Sequence, residues 1–444
     1  MTQDFVAHPV VRISGAMTVP GDKSISHRAL MLSGIAEGVS EVSDFLASED
    51  CLATLGAMRA LGVRIEQRGD TQVSVHGVGL HGLRDAGRAL DMGNAGTAMR
   101  LFTGLLAAQK FDSRLVGDTS LMKRPMERVA KPLREMGADI RSSNGTPPVD
   151  IRGGHRLHGI EYRMPMASAQ VKSAILLAAL YADAATTISA PAISRDHSER
   201  MLTGCGVRVE SVGLRTTLQP PQRLLRQKLT VPGDFSSAAF FIVAGCLGAP
   251  QQGLLIQGVG MNPTRTGLLD ILRSMGADIE ILNSRMSGAE PLADLRVRAS
   301  RLRGVKVPAE SVPLAIDELP VLFIAAACAE GATCVSGAEE LRVKESDRIA
   351  AMSAGFTTLG VEHTVSPDGM RIEGRSEGPA FSGGVVDSFG DHRIAMSFSI
   401  ASLRAAAAIK IKDVANVATS FPGFVPLACS VGLAIRESAT RDSP

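Results

Sequence analysis

Two kinds of apolar segment alternate along the chain. One kind is apolar on every side: "HRALMLSGIA", "AMRLFTGLLAA", "AQVKSAILLAALYA", "SAAFFIVAGCL", "LPVLFIAAACA" and "HRIAMSFSIASL". A helix with no polar face belongs inside a core. The other kind is amphipathic, as in "RPMERVAKPLREM" and "NPTRTGLLDILRSM", and each copy runs into a glycine: "ALGVRI", "EMGADI", "GCGVRV", "SMGADI", "TLGVEH" and "SVGLAI". Gly62, Gly137, Gly206, Gly276, Gly360 and Gly432 are therefore expected to close these helices in the left-handed conformation. Acidic or polar caps and early prolines open most of them. Short alternating stretches follow, such as "QVSVHG" and "GMRIEG", with turn residues like "SPDG" between strands.

The pattern predicts a unit of buried helix, strand, amphipathic helix, strand, strand, about 70 residues long and used six times. Three units make a reasonable domain, so six predict two domains of α/β (α+β) class, with buried helices inside and sheets outside. The string "TVPGD" occurs at 18–22 and again at 230–234, just before the first and fourth units. Pro fixes φ and Gly supplies a tight turn, so both copies read as interdomain hinges. One domain is then expected to comprise 1–19 and 234–444, and the other 20–233. On this layout "VRISGAMTV" pairs with the second half of the chain.

Composition narrows the class of partner. The chain of 444 residues carries a net charge of +2, so no whole-molecule field favours nucleic acid or an acidic membrane. With no Trp and two Tyr it has no aromatic platform for stacking single-stranded bases. The apolar runs fall short of the roughly 20 residues that span a bilayer, and no secretory signal opens the chain. The six cysteines form no C-x-x-C pair and sit mostly in apolar helical stretches; they read as buried free thiols of a cytoplasmic protein. H-E-x-x-H, clustered Cys/His and Walker-type motifs are missing, which argues against a zinc or ATP site.

The starts of the six buried helices are the least ordinary parts of the sequence: "GDKSISHR", "MGNAGTAMR", "MASAQVKS", "GDFSSAAF", "AIDELPVL" and "SFGDHRIAM". A helix N-terminus offers unpaired N–H groups and partial positive charge, so it favours phosphates and carboxylates. Lys23, Arg28, Arg100, Arg124, Lys344, Arg348 and Arg393 add cations to these ends. Each string has a plainer reading. "GNAGT" alone is a tight turn, "KESDR" a solvated helix start, "DHR" a cap beside a surface arginine, and "SAQVKS" a packing patch. Their recurrence in phase with the repeat favours the functional reading, a polyanionic small substrate held between two domains.

"PGDKSISHRAL", "GNAGTAMR", "KRP", "SAQVKSA", "DELPVL", "RVKESDR", "FGDHRIAM" and "SFPGF" together resemble the 5-enolpyruvylshikimate-3-phosphate synthase family, in order and at compatible spacing. "SAQVKSA", "RDHSERML" and "ELRVKESDR" look more like its class II branch than its enterobacterial and plant branch. The resemblance implies a two-domain inverse α/β barrel and transfer of the enolpyruvyl group of phosphoenolpyruvate to the 5-hydroxyl of shikimate 3-phosphate. It also implies a monomer without cofactor or metal, in the shikimate pathway to chorismate and the aromatic amino acids.

Matched residue by residue, the resemblance implies that shikimate 3-phosphate is held by Lys23, Ser24, Arg28, Ser168, Ala169, Gln170, Arg195, Asp317 and Lys344. Phosphoenolpyruvate would be held by Lys23, Asn94, Gly96, Arg124, Gln170, Lys344, Arg348 and Arg393. Asp317 would be the base on the 5-hydroxyl, Glu345 the acid toward the methylene carbon, and Lys23 a candidate source of its proton. Addition to an enol ether asks for two carboxyl groups tuned differently, which suits that pair. Three positions depart from relatives of the family. Thr419 and Ser420 stand where the enterobacterial branch has a lysine, Glu340 stands where it has asparagine, and Gly96 is alanine in some class II members. Glycine at 96 implies that glyphosate enters and competes with phosphoenolpyruvate. The rival readings are a UDP-N-acetylglucosamine enolpyruvyl transferase, whose catalytic cysteine would fall at Thr119, a non-catalytic repeat scaffold and, more weakly, an RNA-processing cyclase.

Overall fold

The computed structural model describes residues 2–221 and 223–440. Residue 1 and residues 441–444 of the first expected domain, and residue 222 of the second, lie outside the described residues. The chain forms two compact lobes. The first takes in Met1–Pro20, Gly233–Arg285 and Pro291–Pro444; the second takes in Gly21–Pro232 and Met286–Glu290.

Six repeats are present, each with its buried and its amphipathic helix. The second lobe holds α1 (Lys23–Gly34) with α2 (Glu49–Ala60), α3 (Gly96–Leu106) with α4 (Glu127–Glu135), and α5 (Ala169–Ala179) with α6 (His197–Gly204). The first lobe holds α7 (Phe235–Gly248) with α8 (Gly267–Ser274), α9 (Val312–Ala315) and α10 (Leu319–Ala327) with α11 (Arg348–Leu359), and α12 (His392–Ala401) with α13 (Phe424–Ser430). Every residue of α10 is buried, as is α7 from Phe235 to Cys246. Each such Phe or Leu contributes about 1.5–3 kcal/mol of burial. The cores are separate, one per lobe. Inside the second, α3 approaches α5 so closely that a Cβ on Gly104 would lie 2.1 Å from the Ala174 carbonyl oxygen.

All six closing glycines have positive φ, from 76° at Gly360 to 104° at Gly137, as the left-handed cap requires. At the other ends, Ser48, Asp196, Thr266 and Asp347 stand at the N-caps of α2, α6, α8 and α11, the polar residues the pattern expects. Among the amphipathic helices only α11 has a side-chain cap, from Asp347; the caps of Asp22, Ser168, Asp234 and Asp391 belong instead to the buried helices α1, α5, α7 and α12. Orphan N–H groups are costly where water is excluded, so side-chain acceptors accumulate there. The cysteines also divide: Cys51, Cys205, Cys246 and Cys328 are buried, but Cys429 is exposed on the last helix.

Strand pairing closes each lobe into a ring. In the second lobe, strands Glu37–Ser43, Ser113–Val116 and Thr186–Ser189 each pair antiparallel with the last strand of their own repeat. Each also takes one parallel edge strand from the segment after a preceding repeat. Leu90–Asp91 joins the second sheet, Glu161–Arg163 the third, and Lys228–Thr230 returns to the first. In the first lobe, Gly15–Thr18 joins Leu254–Gly260 in parallel, and Thr2–His8 sits between Ile409–Lys412 and Ala434–Thr440, with Phe5 opposite both Ile411 and Glu437. The residues "VRISGAMTV" thus do pair with the second half.

The two TVPGD copies carry the chain between the lobes. Asp22 N–H donates to the Pro232 carbonyl and Asp234 N–H to the Pro20 carbonyl, both at 2.8 Å. A Cβ on Gly21 would lie 2.0 Å from the Asp44 carbonyl oxygen, so the turn admits only glycine.

On α1 the imidazole of His27 is fully buried, with Nδ1 2.7 Å from Thr54 Oγ1. Burial, reinforced by Lys23 and Arg28 against Asp50, pulls its pKa down to about 3. The ring is neutral in the native state and takes a proton on unfolding, so its contribution is complete above pH 6.5 and is lost as pH falls toward 3. The slope is about 1.4 kcal/mol per pH unit within that window. Urea midpoints measured from pH 7 to 4 should fall less steeply for His27→Gln than for the parent protein.

Candidate active site

In the second lobe, the starts of α1, α3 and α5 gather Lys23, Arg28, Asn94, Gly96, Arg124, Ser168, Ala169 and Gln170. Lys23 is the first residue of α1, and its Nζ lies 2.9 Å from Asp50 Oδ2. Ser24 offers its carbonyl to Arg28 Nη1 at 2.8 Å. Arg28 is buried, and its other bonds go to neutral hydroxyls: Nε to Ser198 Oγ at 2.8 Å and Nη2 to Ser173 Oγ at 2.7 Å. Burial lowers its pKa to about 10, with Asp22 and Glu199 opposing and Arg195 assisting, so it stays charged at neutral pH. Arg195 is near enough to Arg28 to disfavour its charge. Behind them Lys172 and Glu199 form a buried pair at 2.5 Å.

Gly96 is the first residue of α3, and its missing Cβ is what lets two guanidinium groups converge. A Cβ there would stand 3.0 Å from Arg124 Nη1 and 3.3 Å from Arg100 Nη1. Asn94 Oδ1 accepts from Arg124 Nη2 at 2.7 Å, and its Nδ2 donates to Asp118 at 2.7 Å. Arg100 Nη1 donates to Gln170 Oε1 at 2.6 Å, and Gln170 Nε2 donates to Thr97 at 3.0 Å. Ser168 caps α5 through Val171 N–H. Helix starts and planar cations so arranged can accept an anion.

The first lobe gathers Asp317, Lys344, Glu345, Arg348 and Arg393. Arg348 is fully buried and is shared by three carboxylates. Nε donates to Asp391 at 2.8 Å, Nη2 to Glu345 at 2.6 Å and Nη1 to Asp317 at 3.3 Å. Burial alone would lower its pKa, but these carboxylates hold it above the ordinary arginine value. Asp391 is pushed up by burial, yet the Arg348 charge keeps it below the usual carboxylate range. Lys344 Nζ lies 3.6 Å from Asp317 and 2.7 Å from Glu340, so the glutamate at that unusual position is ion-paired. Arg393 Nη1 donates to the Asp317 carbonyl at 3.0 Å. Thr419 is nearly buried and spends its hydroxyl on the Asn416 carbonyl at 2.7 Å, inside its own turn.

Sequence reasoning missed three partners here. Asp391 stands in the sequence only as part of a helix start, and neither Glu318 nor Arg265, 3.9 Å apart, carries a sequence signal. Among the described residues no group of three or more His, Cys, Asp or Glu could hold a metal ion, and no helix is long and apolar enough to cross a membrane.

Two repeat-built lobes with cations and carboxylates at the starts of buried helices define an enzyme that handles small polyanions. The family model for EPSP synthase (3-phosphoshikimate 1-carboxyvinyltransferase) matches residues 7–427. The chain is 58% identical to 3-phosphoshikimate 1-carboxyvinyltransferase of Methylococcus capsulatus, with 98% of each chain covered. It is 56% identical to that of Alkalilimnicola ehrlichii, covering 97% of this chain and 96% of that one. The solved EPSP synthase of Acinetobacter baumannii superposes with a TM-score of 0.91 at 51% identity, over 99% of this chain and 100% of that one. The enolpyruvyl transferase NikO of Streptomyces tendae shares the fold, with a TM-score of 0.78 at 19% identity, over 99% and 100% of the two chains. The chain belongs to the EPSP synthase family, and its fold is the inverse α/β barrel that the resemblance implied.

Asp391→Asn would leave Arg348 buried with part of its counter-charge gone. Losing one partner of a buried pair costs about 3–5 kcal/mol. A corresponding fall in the urea midpoint of the first lobe, followed by circular dichroism, checks this.

Proposed function

We propose that the chain joins phosphoenolpyruvate to shikimate 3-phosphate, with Asp317 and Glu345 as its proton-transfer pair. The enolpyruvyl group passes to the 5-hydroxyl, giving 5-enolpyruvylshikimate 3-phosphate and phosphate. The gathering of both carboxylates on the single buried guanidinium of Arg348 carries the assignment.

Asp317 takes the proton of the 5-hydroxyl as its oxygen attacks C2 of phosphoenolpyruvate, and Glu345 protonates the C3 methylene, giving a tetrahedral adduct. Elimination reverses the second transfer: a C3 proton leaves to Glu345, the C2–O bond to phosphate breaks, and the double bond returns. Asp317 is well shielded and Glu345 about one-third exposed, so one is set for substrate and the other for exchange with water. Lys23 is the candidate proton source for Glu345. Lys23, Ser24, Arg28, Ser168, Ala169, Gln170 and Arg195 hold shikimate 3-phosphate, assisted by Asp317 and Lys344. Lys23, Asn94, Gly96, Arg124, Gln170, Lys344, Arg348 and Arg393 form the phosphoenolpyruvate end. In this division Asn94 and Arg348 act mainly by orienting Arg124 and the carboxylates. Cations whose partners are neutral, such as Arg28 and Arg124, support the phosphate roles.

The reading needs no partner subunit, because one chain supplies every group, and we take the protein as a monomer. Free thiols support a reducing, cytoplasmic setting. Expected domains of 1–19 with 234–444 and of 20–233, hinged at 18–22 and 230–234, remain part of the proposal.

Removing either proton-transfer group should lower turnover by about 100-fold or more. Phosphate release from the two substrates by Asp317→Ala and Glu345→Gln measures this, and undiminished release would overturn the pair. Gly96→Ala should displace Arg124 and Arg100 by a few tenths of an ångström without unfolding α3. Glyphosate inhibition should then weaken by about tenfold or more while KM for phosphoenolpyruvate rises less; inhibition constants for the parent and variant test it.

A further inference from the structure

We propose that Glu318, with Ser236 and Arg265, is a positioning group for Arg393 and sets the affinity of the phosphoenolpyruvate end of the site. The assignment rests on the functional reading above. Glu318 is 2% exposed, at the start of the all-apolar helix α10. A carboxylate so placed persists only if other groups compensate it.

Its compensation comes from one direction. Glu318 Oε1 accepts the Ser236 hydroxyl, and the same oxygen lies 3.7 Å from Arg393 Nη1 and 3.9 Å from Arg265 Nη2. Arg265 Nη2 donates to Ser236 Oγ at 2.7 Å, which leaves the serine hydrogen for Glu318. Arg265 also lies 3.3 Å from Asp234 Oδ1, and Asp234 caps α7 through Ser236 N–H at 2.7 Å. The chain of contacts therefore starts in the second TVPGD copy and ends on a substrate-binding guanidinium.

At that end Arg393 Nη1 is committed to the Asp317 carbonyl and to the Glu318 charge, whereas Nη2 lies 4.0 Å from Asp317 Oδ2, beyond hydrogen-bond reach. Fixing one edge of a planar guanidinium presents the other edge in a set direction, the condition for binding a carboxylate or phosphate at low entropic cost. Without the Glu318 charge, Arg393 keeps its bond to the Asp317 carbonyl and a long 4.0 Å ion pair to the Asp317 carboxylate, and its plane is held less firmly. Its grip on the substrate anion then weakens. Asp317, one residue before Glu318, keeps its carboxylate on Arg348 and Lys344 independently of Glu318.

The test is steady-state phosphate release with each substrate varied in turn, alongside thermal unfolding. Glu318→Gln should raise KM for phosphoenolpyruvate about tenfold, while kcat and KM for shikimate 3-phosphate stay within about twofold. Glu318→Asp and Ser236→Ala should give smaller rises in the same constant. Adding Glu318→Gln to Arg393→Lys should change KM little further, because the two act as one unit. An unchanged KM for phosphoenolpyruvate in Glu318→Gln overturns the proposal, as do equal losses in both KM values and kcat, or full additivity with Arg393→Lys. If Glu318→Gln does not fold, Ser236→Ala decides by the same criterion. Absence of turnover in the parent protein overturns the functional reading instead, so the two failures are distinguishable.

Discussion

A helix that is apolar all round can meet water only at its ends. Six such helices form the two cores, and that constraint governs where the chemistry lies. Orphan N–H groups, capping aspartates and cations all collect at the N-terminal ends because nowhere else on these helices tolerates them. The carboxylate of Asp391 caps the first turn of α12 and also meets Arg348 at the start of α11. The site follows from burial before it follows from substrate.

The two lobes use their cations differently. In the second, Arg28 and Arg124 are held by serine hydroxyls, a carbonyl and an amide, which orient a guanidinium without neutralising it. In the first, Arg348 is surrounded by carboxylates and serves chiefly to orient them. One arrangement suits the capture of phosphate; the other suits acids that must exchange protons. The Lys23–Asp50 pair is the exception, a lysine tempered by a carboxylate among those helix starts.

The period, the six closing glycines and the buried helices were legible in the sequence because each rests on local chemistry. Only glycine adopts those φ values without strain, and only a core accepts "LPVLFIAAACA". The motif cations were legible because they kept phase with the repeat. Pairings between distant segments were not, since no local feature says that Lys228–Thr230 returns to the first sheet or that Thr2–His8 completes the sixth. Which polar N-caps would bond the first turn was not legible, because a serine or aspartate before a helix looks the same whether or not its side chain reaches an N–H. The partnership of Glu318 with Ser236 and Arg265 links residues far apart in the chain, so no spacing rule reveals it. It also adds to the meaning of the second TVPGD copy, which reads from the sequence as an interdomain hinge.

The ring of borrowed strands has a consequence for how the polypeptide matures. The second lobe is almost contiguous, so nearly all of it emerges from the ribosome before the chain returns to the first. Strands Thr2–His8 and Gly15–Thr18, although made first, find their neighbours only after Leu254–Gly260 and then Ile409–Lys412 and Ala434–Thr440 have been synthesised. Until then their backbone groups are unpaired edges of the kind that recruit the wrong partner. The order of synthesis and the order of assembly thus run opposite ways in the first lobe, and its earliest residues are among the last to be locked in place.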